Sequence, residues 1–301
     1  FFIADDPSAW ASQNEEDSRG IYFNAGLPIL EPCDQYSAYY CTLLAYELSE
    51  KFRLPFFIRT TARGIREKYS SEKNDFKAVN TPLNSDYIDI PFDAKDRWTC
   101  IFRTVEEDRE ELSEKQNFIS KFFDACNLNI VKGTSKLGVI ASGFPATQLE
   151  NEGLLEGVSL LKLVSIYPLP EKTIMNFLKD KERILVIDQG EPLLELLIRD
   201  CAQRNGFVNP IFGKLNGFVR KVGEFRDDDL KISVNSLKEN KHPGKFPLHK
   251  EIAHSRPHIE NSGFYKMLQA LKKAVSITGV RPLYAGDAGE PCRIPETKGL
   301  D

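Results

Sequence analysis

The chain has 301 residues, 41% of them hydrophobic and 28% charged, a composition that supports packed cores and sets disorder aside. Its 40 basic and 44 acidic residues leave a formal charge of -4, a balance that argues against a nucleic-acid binder, which needs a basic patch. No apolar run reaches the roughly 20 residues of a membrane helix.

Residues 1–4 read as a short apolar strand closed by the polar turn Asp5-Asp6-Pro7-Ser8. A helix over about 14–25 follows, its acidic start suited to a helix N-terminus. Residues 27–30 form a second strand. Asp34 can cap a long helix running to about Arg53. Its positions Tyr36, Tyr39, Tyr40, Leu43, Leu44, Tyr46, Leu48 and Phe52 fit a buried helical face. Residues 54–60 form a third strand of the kind buried on both faces. This alternation implies a parallel sheet with right-handed crossovers.

Residues 69–135 read as a linker or surface excursion, dense in charge and then in proline and aspartate. It ends in an amphipathic helix over 105–126, with Leu112, Phe118, Ile119, Phe122 and Phe123 on its apolar side. A second alternation places strands at 137–141, 160–164 and 183–187. Helices fall at 146–156, 171–179 and 192–205. Residues 136–225 are thus expected to make a three-layer domain able to fold alone. Ligands of such sheets bind beyond the carboxyl ends of the strands, so Ser142, Tyr167 and Asp188 are positions to watch. From Asp227 the chain turns polar and helix-poor. Residues 226–301 read as a linker and the start of a further domain.

Cys33, Cys41, Cys100, Cys126, Cys201 and Cys292 contain no pair at the two-residue spacing of a zinc or iron–sulfur site. With no secretion signal, reduced thiols in a cytoplasm are expected. His242, His249, His254 and His258 lie in one proline- and lysine-rich stretch and offer no metal-ligand set. No Ser-His-Asp order, G-x-S-x-G elbow, G-x-G-x-x-G turn or P-loop can be assembled.

Four polar clusters remain as candidates. Asp5-Asp6-Pro7-Ser8 with Ser12-Gln13-Asn14-Glu15-Glu16-Asp17-Ser18-Arg19 follows a strand and opens a helix, a place for an anionic ligand or a solvated turn with ordinary caps. Arg59 and Arg63 at the end of the third strand can clamp a carboxylate or phosphate, or simply charge a strand end. Tyr167-Pro168-Leu169-Pro170 closes another strand. Gly286-Asp287-Ala288-Gly289 lets backbone approach a diphosphate, or makes a tight turn.

In that order, these blocks resemble the alpha subunit of indolepyruvate:ferredoxin oxidoreductase, within the thiamine-diphosphate 2-oxoacid:ferredoxin oxidoreductases. Glu31-Pro32, Glu47-Leu48-Ser49-Glu50-Lys51-Phe52 and Arg59-Thr60-Thr61-Ala62-Arg63 belong to the match. The resemblance covers residues 1–225 well and 275–289 thinly. It implies an α/β fold of parallel-sheet three-layer domains of the thiamine-diphosphate-enzyme type. Residues 1–68 would be the distal part of the pyrimidine-binding domain, and 136–225 the transketolase C-terminal-like domain. The diphosphate-binding domain would begin within 226–301.

The resemblance further implies oxidative decarboxylation of aryl pyruvates to acyl-CoA, with electrons passed to ferredoxin. Thiamine diphosphate, Mg2+ and iron–sulfur clusters would serve the complete subunit, and coenzyme A would be co-substrate. A beta subunit, ferredoxin and a small-molecule 2-oxo acid are the implied partners. Cofactor-binding positions would be Asp5, Ser12, Gln13, Asn14, Asp17, Gly286, Asp287 and Gly289. Substrate-binding positions would be Arg19, Arg59 and Arg63, with Arg19 and Arg63 pictured as partly exposed side chains.

Departures from the family pattern are Trp10 for His, Glu16 for Gln, Arg66 for His and Glu290 for Cys. The activating glutamate is expected upstream of Phe1, and the magnesium and cysteine-rich blocks beyond Asp301. The chain alone is therefore expected to be inactive and to bind thiamine diphosphate weakly or not at all. Two rivals stay open: a non-catalytic scaffold of the same fold, and a thiamine enzyme of the transketolase type.

Overall fold

The computed structural model describes residues 1–7, 15–66, 104–223 and 225–247, with 269–270, 273–274 and 276–279. The chain divides into two units, Phe1–Phe246 and Pro247–Asp301. The second contributes a few helical residues between 269 and 278.

The first unit contains two sheets. β1 (Phe2–Asp5), α1 (Arg19–Asn24), β2 (Ile29–Leu30), α2 (Gln35–Phe52), β3 (Phe57–Thr61) and α3 (Ala62–Arg66) come first. From residue 104 onward come α4 (Val105–Ala125), β4 (Ile130–Lys132), β5 (Leu137–Ser142), α5 (Gly143–Asn151), β6 (Ser159–Leu163) and β7 (Ser165–Tyr167). α6 (Glu171–Leu178), β8 (Arg183–Ile187), α7 (Leu193–Arg204), β9 (Ile211–Phe212) and α8 (Asp227–Glu239) complete it. One sheet has the order β1-β3-β2-β7, the other β4-β6-β5-β8-β9. β1, β3 and β2 run parallel, as do β6, β5, β8 and β9; β7 and β4 are antiparallel additions. The fold is α/β, as the alternation of strand and helix predicts.

The elements form for local reasons. Asp34 accepts the Ser37 amide at 2.8 Å and its own amide donates to Ser37 Oγ at 3.0 Å, a reciprocal cap that starts α2. β8, Arg-Ile-Leu-Val-Ile, buries everything after its first residue, as a central parallel strand does. The polar reading of the stretch after Asp227 is corrected by α8. Asp227, Asp228 and Asp229 occupy its first turn, where the helix dipole favours carboxylates. Leu230, Val234 and Leu237 then recur on one buried face. Phe118 of α4 is also corrected: it is 61% exposed, while Ile119, Phe122 and Phe123 face the core.

Three further differences concern the separation of the parts. β4 lies in the stretch read as linker, yet pairs with β6. β7 lies in the stretch read as a second domain, yet pairs with β2 of the first sheet. One hydrophobic core runs through both: Leu30, Leu44, Leu48, Phe56 and Ile58 pack in the same cluster as Phe123, Val139, Leu160, Leu185 and Leu230. Burial of side chains of this size contributes about 1.5–3 kcal/mol each, so neither sheet has a reason to stand apart. Short strands such as β4, β7 and β9 carry too few residues for a periodicity to reveal them.

Candidate functional site

Residues from five strands of two sheets meet at one crevice, four of them at strand ends. Asp5 ends β1, Glu31 follows β2, and Arg59 lies at the middle of the five-residue β3, one position past the level of Leu30. Ser142 ends β5 and Asp188 follows β8. Parallel strands present their carboxyl ends in the same direction, which collects such side chains.

Two fully buried arginines organise them, at 1% exposure for Arg19 and 0% for Arg59. Arg19 Nη1 donates to Asp188 Oδ1 at 2.5 Å and faces Glu31 Oε2 at 3.5 Å. Its Nη2 donates to Asp17 at 2.6 Å and to the carbonyls of Gln189 and Glu191 at 2.9 Å each. Arg59 Nε donates to Asp5 Oδ2 at 2.9 Å, and its Nη1 is tightly paired with Glu31 Oε1. Ser142 Oγ donates to Glu31 Oε2 at 3.1 Å. Asp17 also accepts the Glu191 amide at 2.8 Å, and Asp5 accepts the amide and hydroxyl of Ser18.

The electrostatics follow from this geometry. Burial opposes ionisation of Asp17, but the hydrogen bond and charge of Arg19, with the charge of Arg59, hold it well below the usual carboxylate range. Burial likewise opposes the charge on Arg19, yet Asp188, Glu31 and Asp17 raise its pKa well above the ordinary value. Lys214, buried nearby and bonded to the Gly190 carbonyl, has its pKa lowered by burial and by Arg19, against the pull of Asp188.

Beside this cluster opens a cleft of about 370 Å³. Glu31, Arg59 and Gly143 belong to both cleft and cluster. Thr60, Thr61, Ile65 and Phe144 add hydroxyl and apolar surface. Cys33 also lines it; burial pushes its thiol pKa up, against the attraction of Lys162. Arg63 lies half-buried, its guanidinium over the Phe144 ring at 4.9 Å and donating to the Phe225 carbonyl at 2.9 Å.

The structure therefore brings together Asp5, Asp17, Arg19 and Arg59 of the candidate residues. It corrects the picture of Arg19 as a partly exposed side chain: Arg19, like Arg59, is buried and enclosed by carboxylates. Arg63 makes separate contacts. Ser12, Gln13, Asn14, Gly286, Asp287 and Gly289 lie outside the described residues. Ser142 and Asp188 join the cluster as positions beyond strand ends should. Tyr167 instead pairs with Ile29 and packs edge-on against Phe23. Glu31 is the hub that residue chemistry alone did not single out, although it follows a strand directly and the same crevice rule points to it. Lys214, in a loop without periodicity, carries no such signal.

No protein-family model matches the chain. The indolepyruvate oxidoreductase subunit IorA of Thermococcus kodakarensis is 32% identical over 230 residues, covering 70% of this chain and 33% of that protein. The subunit of that name from Methanothermobacter marburgensis is 30% identical over 241 residues, covering 78% of this chain and 38% of its own. The Archaeoglobus fulgidus subunit is 31% identical over 224 residues, covering 72% and 34%. The chain belongs to the IorA family of indolepyruvate oxidoreductase subunits. It spans about one third of the length of these IorA relatives. Two solved structures align at TM-scores too low to carry a fold argument. A split-gene transketolase in an inactive beta4 tetramer gives 0.43 at 12% identity, over 72% of this chain and 58% of that one. A 2-oxoglutarate:ferredoxin oxidoreductase from Magnetococcus marinus gives 0.42 at 16% identity, over 70% and 42%. Among the described residues, no helix is long and apolar enough to cross a membrane.

Proposed function

We propose that this chain supplies one wall of the active site of an indolepyruvate-type 2-oxoacid:ferredoxin oxidoreductase. The complete assembly would decarboxylate an aryl pyruvate oxidatively, form an acyl-CoA and pass electrons to ferredoxin through iron–sulfur clusters of the complete subunit. What supports the reading is the convergence of strand ends from two sheets on a cleft, in a chain about 30% identical to IorA subunits.

Thiamine diphosphate would supply the carbanion chemistry when bound. The described residues do not fit its diphosphate. Arg59, the arginine on the cleft wall, is committed to Asp5 and Glu31. The nearby Lys162 is committed to Asp34 and Glu150. No diphosphate step is therefore assigned to these residues. Their part is to shape the cleft. Glu31 and Arg59 hold its inner wall, and Thr60, Thr61, Ile65 and Phe144 meet what enters.

Arg63 is the residue proposed to meet the substrate carboxylate. It is the least buried of the three candidate arginines, and an arginine keeps its charge and its fork geometry there. Coenzyme-A-dependent reduction of ferredoxin by an aryl pyruvate, measured on the complete alpha subunit with its beta subunit, tests the assignment. Absence of that reaction, with a folded and cofactor-loaded assembly, would leave the scaffold reading in its place. In the active assembly, Arg63→Ala should lower kcat/KM by about tenfold to a hundredfold, the loss of one charge-assisted pair.

A further inference from the structure

Asp188 does not touch the cleft, yet it stands at the head of a chain of charges that does. Its Oδ2 accepts the Leu194 amide at 2.7 Å at the start of α7, and its Oδ1 takes Arg19 at 2.5 Å. Arg19 then faces Glu31, Glu31 holds Arg59, and Arg59 holds Asp5. The first member belongs to the second sheet, the last to the edge of the first. We infer that Asp188 is a positioning residue that fixes the Glu31–Arg59 wall of the cleft through Arg19.

The contacts around Glu31 give the reason. Its carboxylate is shared among Arg59, Arg19 and Ser142, and the Gly143 backbone lies against it. Arg19 Nη1 has Asp188 as its near partner and Glu31 as its far one. Neutralising Asp188 leaves that nitrogen with Glu31 as its remaining carboxylate. Glu31 is then drawn towards Arg19 and away from Arg59, and the wall opens. Asp188→Asn keeps an oxygen for the Leu194 amide, so the start of α7 is retained. This coupling is independent of the reaction assigned to the whole protein.

Cys33 reports on the wall. It lines the cleft, is 1% exposed, and its Sγ lies 4.0 Å from the Glu31 carbonyl. A buried thiol reacts only when its surroundings open. The experiment follows native-state labelling of Cys33 by a maleimide in the full 301-residue chain, read by mass spectrometry of the Cys33 peptide. Asp188→Asn is expected to speed labelling at least about tenfold, the factor that one lost charge-assisted bond makes in an opening equilibrium. Ile198→Val in α7 is the comparison for stability: it lies in the core cluster that excludes Cys33. With thermal midpoints of both variants recorded, labelling in Asp188→Asn no faster than its midpoint loss accounts for on the Ile198→Val scale would overturn the inference. Asp188→Glu, which keeps the charge but moves it by one methylene, is read the same way should Asp188→Asn not fold. Faster labelling beyond its stability loss supports the inference, and labelling that only tracks stability refutes it.

Discussion

The carboxylate of Asp188 receives the guanidinium of Arg19 at 2.5 Å although 169 positions of sequence separate them. Both side chains are 1% exposed, so the pair lies where water cannot replace either partner. Such a pair need not stabilise relative to an apolar replacement, but loss of one member leaves the other charged and unpaired.

Arg19→Ala should therefore act first on stability. It strips Asp17 and Asp188 of their closest cation and two backbone carbonyls of one donor each. A loss of about 3–5 kcal/mol is expected, measured by chemical denaturation. Arg19→Lys should recover only part of it, because an ammonium cannot fork to acceptors on three sides. A loss within about 0.5 kcal/mol, typical of surface sites, would contradict the enclosed geometry.

Asp17 sets a pH dependence of defined sign. Its folded-state pKa is depressed below the ordinary value of 3.8. The stability it contributes is thus fully present above that ordinary value and is lost as pH falls towards the depressed one. Asp17→Asn should be less stable than the parent at neutral pH, and the gap should shrink only in strong acid. Denaturation midpoints of both proteins across the acid range give the comparison. A gap that closed instead between about pH 5 and 7, above the carboxylate range, would place the coupling on another group.

Much of this fold was legible because long elements carry their own signals. The cap at Asp34, the apolar β8 and the helix of α7 all follow from pattern. The joining of the two alternations into one core was not legible, since periodicity tells which face is buried and not against what. The same holds at the site. Strand ends pointed to Asp5, Ser142 and Asp188, but no local pattern reveals that Arg19 and Arg59 spend their charges on one another's neighbours. Burial is a tertiary property, and nothing local at a helix start such as Arg19 shows that its side chain is enclosed.

That shared core predicts how the chain unfolds. Leu44 of α2 is 2% exposed and packs in the cluster that holds Val139 and Leu185 of the second sheet. Leu44→Ala should cost about 2–5 kcal/mol and lower the stability of both sheets together. Hydrogen exchange resolved by peptide is the measurement, with protection in β5 and β8 falling alongside that in β3. A fragment of residues 136–225 should correspondingly lack a cooperative melt, because it would expose the face that Leu44, Leu48 and Phe56 cover. Independent melting of that fragment would restore the separate domain that sequence periodicity alone favours.

Gly143 tests how rigid the cleft wall is. It opens α5 at φ +60, and a Cβ there would lie 2.8 Å from Glu31 Oε1. Gly153, at φ +64, has open space around the same position. Alanine at either site incurs the left-handed backbone penalty of about 1–2 kcal/mol. Alanine at Gly143 must in addition displace a carboxylate held by Arg59 and Ser142. Glu31 is no free surface chain able to swing aside, so the extra cost should resemble a disturbed buried charge pair and exceed about 1 kcal/mol. Gly143→Ala should thus be clearly less stable than Gly153→Ala in parallel denaturation curves. Removing the obstacle should narrow the difference: in a Glu31→Gln background, where the ion pair is already lost, Gly143→Ala should add less than it does in the parent. Equal losses for the two glycines in the parent protein would mean that Glu31 yields readily, and that the wall shared by cluster and cleft is soft rather than fixed.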